Sequence, residues 1–554
     1  MEENEKTIQE LKFQIEKLKN QIKEIKSKKK YGLVWDEEKE KEIVVEECQH
    51  KLPILKELKK INMNLNKQSP TNILIEGDNY HALSVLSYTH EEKIDVIYID
   101  PPYNTGSGDF IFNDKIVDKD DSFKHSKWLL FMNKRLRLAK NLLKQYGVMF
   151  ISIDDNEVAK LRLLCDEIFG EDNVDVMIWK KTGFGRDGKM KNTTTFRKDH
   201  EYIIVCFKSE KLLNKLREIP NFIGKLSNPD KDPRGNWLSG SISRREEASN
   251  PSHENYYTVT SPTRAKFTRQ WDIPQDEFTN LNSDNRIYWG PEGKNVPRLK
   301  IFENEERYIT AYSVLEKGTT TEGTAEVENI LGGDFSTLRP KPTVLIRTLV
   351  QLASKKDSVV LDFFAGSGTT GQAVLELNQK DGYNRSFILC TNNENGICKD
   401  VCLPRLEKVM GGYKGVNDKL LHKGLGGKLR YFKTDFVDVD ALYHVSDEQR
   451  IDLTYKAGEM LALKEDTFDE VEKNEWWQIF TNGTKQTAIY FKEDKSKLNK
   501  LVKQLSNLKS EVALYIFGWG KNEYANEFSE YKNIRVEDIP EPIIKVYEEI
   551  NKLA

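Results

Sequence analysis

No run within the 554 residues approaches the roughly 18 consecutive apolar side chains that a membrane-crossing helix needs. The opening MEENEKTIQELK also lacks the apolar stretch of a secretory leader, so a cytoplasmic chain with no membrane contact is expected. Cysteine is scarce: there are six, and only Cys398 and Cys402 stand close together. No second Cys/His pair falls at zinc spacing, so these read as ordinary thiols near a helix start in a reducing compartment, and no metal site is expected. A G-x-x-x-x-G-K-[ST] phosphate loop is missing, as is a nuclease-like group of carboxylates, which argues against ATP hydrolysis and DNA cleavage by this chain. Strong charge of either sign is missing as well, since the net charge is only −3. The average conceals segregation, because Trp179 to Arg245 carries 16 Lys/Arg against 7 Asp/Glu.

What is present suggests several domains in a chain of this length. Ile8, Leu11, Ile15, Leu18, Ile22 and Ile25 alternate spacings of three and four, a heptad seam in residues 1–30. Lysine at each e position (Lys12, Lys19, Lys26) supplies no Glu–Lys pairing, so a self-associating coil and a helix packed on its own domain stay equally open. After a lead-in at 31–70, strand and helix patterns alternate: strands at 73–76, 94–99 and 148–153, and helices at 128–143 and from a cap at Asp155 to Phe169. This alternation predicts a parallel α/β sheet whose first part spans 71–182. From 183 to 334 the chain turns rich in Asn, Ser, Thr, Gly, Pro and aromatics, as expected of an inserted domain. The α/β pattern resumes over 335–430, with a helix at 343–353, a strand at 358–362, a helix at 370–377 and a strand at 386–390. Residues 431–554 read as a smaller mixed α/β domain with a structural or partner-binding role.

Two stretches carry chemistry. In Asp362-Phe-Phe-Ala-Gly-Ser-Gly-Thr-Thr370 a strand enters a glycine turn and then a helix, a layout in which backbone N–H groups approach a ligand closely. It has neither the lysine of a phosphate loop nor the third glycine of a dinucleotide fingerprint. Far upstream, "IYIDPPYNTG" ends a buried strand in Asp100-Pro101-Pro102-Tyr103. The prolines alone would suit a turn.

Taken together, the two stretches resemble the amino-methyltransferases of DNA, and their order, with a variable region between, matches the β class. Further segments, including "EGDN" at 76–79, "HEYIIVCFK" at 200–208 and "RPKPTVLIRTLV" at 339–350, are similar to Mod subunits of Type III restriction-modification systems over roughly residues 70 to 435. The resemblance implies a circularly permuted Rossmann-like fold that binds S-adenosylmethionine, with 183–334 as target-recognition domain. It implies cofactor contacts from Asp78, Asp100, Lys341, Pro342, Asp362, Phe364, Gly366, Gly368 and Thr369, with Glu394 for the ribose hydroxyls, although Asn392 and Asn393 depart from the family there. Asp78 can equally be a helix cap. Double-stranded DNA is the implied substrate, with a homodimer and a separate ATP-dependent Res subunit as implied partners. Lys189, Lys191, Arg197, Arg244, Arg245, Arg264 and Arg269 are candidate DNA contacts.

The chemistry of the motif can be stated in its own right. The lone pair of adenine N6 is delocalised into the ring, so the nitrogen is a poor nucleophile. A carboxylate (Asp100) and a backbone carbonyl (Pro101) that accept its N–H groups pull it toward tetrahedral geometry, while Tyr103 stacks on a base flipped out of the duplex. Asp at the first motif position favours adenine N6 over cytosine N4, whose methylases usually carry Ser there. Other readings are a solitary methyltransferase without a nuclease partner, and a DNA-binding subunit that has lost activity.

Overall fold

The computed structural model describes residues 41–66, 69–182, 196–209, 211–218, 226–302, 305, 307–492, 494–519, 524 and 527–553. The heptad seam, Lys189 and Lys191 lie outside these residues. The chain divides into two compact units, one reaching to Asn214 and resuming at Tyr312, the other Lys215–Ala311.

The larger unit is built on one sheet. Its main strands are β1 (Lys51–Glu57), β2 (Thr71–Glu76), β3 (Ile94–Ile99), β4 (Leu143–Ile153), β5 (Val174–Lys180), β6 (His200–Phe207), β7 (Val314–Leu315), β8 (Val359–Asp362), β9 (Ser386–Thr391) and β10 (Lys428–Asp438). They lie in the order β1-β10-β2-β9-β8-β3-β4-β6-β5-β7. From β10 through β4 neighbours run parallel, and β6 is antiparallel to both of its neighbours. The strands from β2 to β4 are apolar on both faces and buried, as a sheet covered by helices on each side requires.

Sheet order differs from chain order in an informative way. From β8 the chain moves outward to β9, whereas from β3 it moves in the opposite direction to β4. Ligands of open α/β sheets bind at the carboxyl ends of strands where the direction reverses. Here Val360 pairs with Val96 and Leu361 with Ile97, so β8 and β3 end side by side. The glycine loop and Asp100 therefore meet, although more than 260 residues separate them in the chain.

The helices follow their sequence signals closely. They include α1 (Asn79–Thr89), α2 (Lys124–Leu142), α3 (Val158–Phe169), α4 (Thr320–Leu331), α5 (Thr343–Ala353), α6 (Thr369–Asp381) and α7 (Leu403–Gly411). The cap expected of Asp155 is not made, because α3 starts three residues later, after Glu157. Asp155 instead accepts from the Tyr202 hydroxyl at 3.1 Å and pairs with Lys198 at 3.1 Å, so a charged partner outcompetes the helix end. Cys398 and Cys402 are buried in a π-helical turn, Ile397–Cys402, that leads into α7.

Domain limits are drawn differently from the sequence pattern. The compact insert is Lys215–Ala311, whereas β6 and β7, from the flanks of the expected 183–334, belong to the large sheet. The limit at residue 431 falls inside β10, and the Tyr547 hydroxyl near the C-terminus donates to the carbonyl of Pro53 in β1 at 2.5 Å. A separate five-stranded sheet, Asp469–Lys473 through Ile534–Ile539, completes this region. The insert has its own core of Ile242, Val259, Trp271, Phe278, Ile287 and Trp289. Inside it Lys300 is fully buried and held by Asp232 at 2.9 Å and by Asp230.

Candidate active site

The glycine loop is shaped by backbone and by one arginine. Gly366 and Gly368 have φ of +49° and +77°, in the left-handed region where a Cβ is strained. A Cβ on Gly368 would also meet Cys402 Sγ at 2.9 Å, while the space beside Gly366 is open, its nearest neighbour being the Phe364 carbonyl at 3.8 Å. The loop thus offers backbone to a ligand, and α6 begins directly after it, so the helix N-terminus adds its partial positive charge. This suits the carboxylate-bearing end of an amino-acid-derived cofactor.

Arg405 of α7 holds the loop from behind. Fully buried, it donates to Gln372 Oε1 at 2.9 Å, Ser367 Oγ at 3.2 Å, Thr369 Oγ1 at 2.8 Å and Thr343 Oγ1 at 3.2 Å. Thr369 accordingly turns its hydroxyl to Arg405. Nothing in the spacing of the sequence singles this arginine out.

Asp362, at the end of β8, accepts from Thr370 Oγ1 at 2.5 Å and from the Phe364 N–H at 3.0 Å. Burial outweighs both bonds and, with Asp100 adding repulsion, pushes its carboxyl up to about 7. Its folded pKa is above the unfolded value, so its contribution to stability is full below about pH 4 and is lost as pH rises toward 7. Asp362→Asn is expected to flatten that part of the melting temperature's pH dependence between pH 4 and 8, as thermal melts in a buffer series would show.

The loop that follows β3 is held at several residues. Trp128 Nε1 donates to the Pro102 carbonyl at 2.7 Å. Asn104, at φ +57°, donates to Glu157 Oε1 at 2.6 Å, and His125 bonds the same oxygen. Asp109 accepts from the N–H groups of Tyr103 at 3.1 Å and Thr105 at 3.0 Å. None of these supporting residues is evident from the motif alone.

Asp100 sits in a buried charge network. Lys341 Nζ donates to both Asp100 oxygens at 2.8 Å and to the Tyr103 hydroxyl at 2.8 Å. The Tyr103 hydroxyl lies 2.8 Å from Asp100 Oδ1 and 3.1 Å from Glu201 Oε2, and Lys181 reaches Glu201 Oε1 at 3.2 Å. Burial lowers the basicity of Lys341, but Asp100 and Glu201 outweigh it, and the ammonium is held above its ordinary range. Burial and then Asp100 and Glu201 keep the Tyr103 phenol far above its usual range, hence neutral. Lys341, expected at the cofactor, thus lies on Asp100, and Pro342 stands at the N-terminal boundary of α5.

The remaining expected cofactor contacts fall on the next loops of the same sheet edge. Thr391 pairs with Glu76, so the turns after β9 and β2 run together. Asp78 Oδ1 accepts from the Tyr80 N–H at 2.7 Å and so caps α1, and it also lies 3.5 Å from buried Arg135. Glu394 is largely exposed in a single turn beyond β9, and its carboxyl is raised by partial loss of water around it, then by Asp78 and Asp114. Phe364 packs its ring at 5.9 Å from Phe131, over which Arg135 is stacked at 3.7 Å. A glycine cradle, an apolar ring and two carboxylates on one edge match the parts of an adenosyl amino acid.

A family model described as a DNA methylase matches residues 94–401. The chain belongs to this DNA methylase family. Among curated relatives it is 35% identical over 353 residues to the StyLTI Mod subunit of a Type III restriction-modification enzyme from Salmonella typhimurium, a match covering 59% of this chain and 53% of that one. The EcoPI Mod subunit of Escherichia phage P1 is 33% identical over 399 residues, covering 62% and 60%. The Type II methyltransferase M.KpnI of Klebsiella pneumoniae is 32% identical over 353 residues, covering 59% and 81%. The match therefore spans little more than half the length of the two Mod subunits.

The candidate DNA contacts of this family member separate by position. Arg197 pairs with Asp199 in the larger unit. In the insert Arg244, Arg245 and Arg264 are exposed, Arg264 at φ +69° in the turn of a hairpin. Arg269 is half-buried and lies opposite Tyr257 on the core side of that hairpin, which removes it from the outward set. The basic excess also changes in scale, since Lys215–Ala311 as a whole carries 15 Lys/Arg against 14 Asp/Glu. Among the described residues, no helix is long and apolar enough to cross a membrane.

Proposed function

We propose that this chain transfers the methyl group of S-adenosylmethionine to N6 of adenine in double-stranded DNA, at a sequence selected by the insert, and acts as the Mod subunit of a Type III restriction-modification system. The observation that carries the reading is the placement of Asp100 and the Pro101 carbonyl at the end of β3, directly beside the glycine loop that ends β8. A base amino group held at Asp100 and a methyl donor held at Phe364 to Gly368 would share one small space, which is the proximity that group transfer requires.

When bound, the cofactor supplies a methyl carbon made electrophilic by its sulfonium; held at Phe364 to Gly368, it would give up that methyl to N6 and leave as a neutral thioether. Asp100 accepts one N6–H and the Pro101 carbonyl the other, so the nitrogen lone pair is directed out of the ring plane. The surplus N6 proton is released toward the Asp100 carboxylate. Transfer cancels the sulfonium charge, so a site closed to water favours it.

The similarity to M.KpnI, a Type II methyltransferase 81% of whose length is matched, favours a second reading in which the same chemistry runs in a chain that is not a Type III Mod subunit. Co-purification with a Res-type ATPase encoded beside this chain would separate the two. Modification-sensitive sequencing of DNA exposed to the protein and S-adenosylmethionine is the decisive experiment. N6-methyladenine within one recurring sequence is expected, and N4-methylcytosine or unmodified DNA would refute the proposal.

A further inference from the structure

We propose that Glu201 is a second carboxylate of the methyl-transfer centre, a positioning residue that takes Lys341 from Asp100 when the target amino group binds there. The inference rests on the function proposed above and deepens it.

Acceptor counting leads to it. A carboxylate oxygen has about two lone pairs in useful directions. Asp100 Oδ1 already receives both Lys341 and Tyr103, and Oδ2 receives Lys341, each at 2.8 Å. The base amino group requires the same oxygens. A neutral amine competes poorly with an ammonium for a carboxylate, because charge-assisted bonds are roughly twice as strong. Oδ1 is filled and the one place left on Oδ2 lies beside the ammonium, so a full bond from the base to Asp100 is favoured when the ammonium moves elsewhere.

Glu201 provides that place. Its Oε2 is 3.5 Å from Lys341 Nζ, against 2.8 Å for Asp100, so a movement of less than an ångström exchanges the partners. Lys181 occupies the far oxygen, Oε1, which keeps Oε2 facing Lys341 and the Tyr103 hydroxyl. Burial alone would favour the neutral acid, but Lys341 and Lys181 outweigh it and hold Glu201 ionised. The ammonium stays paired throughout, so the handover avoids the large cost of an uncompensated buried charge. Strand geometry supports the arrangement, since β6 places Glu201 opposite Trp179 of β5, and Lys341 lies 5.9 Å from that indole ring.

The test measures transfer of tritiated methyl from labelled S-adenosylmethionine into unmethylated genomic DNA by the full chain. Glu201→Gln, Glu201→Asp, Lys341→Met and the Glu201→Gln/Lys341→Met pair are compared with wild type. Glu201→Gln is expected to lower kcat at least about tenfold while KM for DNA, cofactor affinity and melting temperature change little. Glu201→Asp, a poorer match in shape but still charged, is expected to retain more kcat than Glu201→Gln. In the Lys341→Met background, Glu201→Gln should cost less than about twofold, because the residue acts through that lysine. Equal or better activity in Glu201→Gln than in Glu201→Asp, or multiplying effects in the double variant, overturns the proposal. Should Glu201→Gln not fold, Glu201→Asp alone decides: kcat within about threefold of wild type is expected, and a loss above about thirtyfold at unchanged melting temperature overturns it. Absence of incorporation by the wild type would instead strike at the methyltransferase reading itself.

Discussion

Asp100→Ala is expected to abolish methyl transfer, with a loss of at least about a thousandfold in kcat, while binding of S-adenosylmethionine changes by no more than a few-fold. A thousandfold corresponds to about 4 kcal/mol, more than the roughly 1.5–3 kcal/mol of one hydrogen bond to a charged group. Under the proposed mechanism the difference comes from geometry, because Asp100 would both accept an N6–H and direct the nitrogen lone pair at the methyl carbon. Stability should fall only modestly. Lys341 would keep Tyr103 at 2.8 Å and Glu201 at 3.5 Å as partners, so no buried ammonium is stranded. Asp100→Asn should be as inactive as the alanine variant, since its amide N–H₂ would face the Lys341 ammonium with a donor. Tritium incorporation checks kcat, and calorimetric titration checks cofactor binding. Turnover of either variant near the wild-type rate would remove Asp100 from the mechanism.

Arg405→Met is expected to destabilise the larger unit by roughly 3–5 kcal/mol and to weaken S-adenosylmethionine binding more than tenfold. The arginine is completely buried, and its bonds join Thr369 and Gln372 of α6, Ser367 of the glycine loop and Thr343 of α5. Methionine matches its length but leaves those oxygens without donors in a dry environment. Arg405→Lys should rescue little, because one ammonium cannot reproduce the planar fork that reaches three segments together. Urea denaturation and calorimetric titration would check the two effects. Normal cofactor affinity in a folded Arg405→Met variant would mean that the loop keeps its shape unaided.

The parts of the site legible in the sequence are those that depend on neighbouring residues. A strand running into Asp-Pro-Pro-Tyr, or into Phe-Ala-Gly-Ser-Gly, announces itself because strand, turn and helix signals are contiguous. The sheet centre was readable for the same reason, as was the helix Thr343–Ala353 to the residue. Arg405 and Glu201 were not, since each is a single residue in an ordinary helix or strand whose role is set by partners over 30 or about 100 positions away. Asp155 shows the converse, a good local cap signal overridden by Lys198 and Tyr202. The compact unit Lys215–Ala311 is narrower than the expected 183–334 because β6 and β7 join the large sheet, a long-range pairing that composition does not register.

The insert is bounded at both ends by chain that the large unit already holds. Asn214, the last residue before it, donates its backbone N–H to the Leu352 carbonyl at 2.6 Å and its side chain to the Ser354 carbonyl at 2.7 Å. Just after it, Val314–Leu315 pairs with β5. Entry and exit are therefore moored independently of what lies between them. Lys215–Ala311 can thus be exchanged as a cassette without touching a strand of the large sheet, and under the proposed function such an exchange would redirect methylation to another DNA sequence.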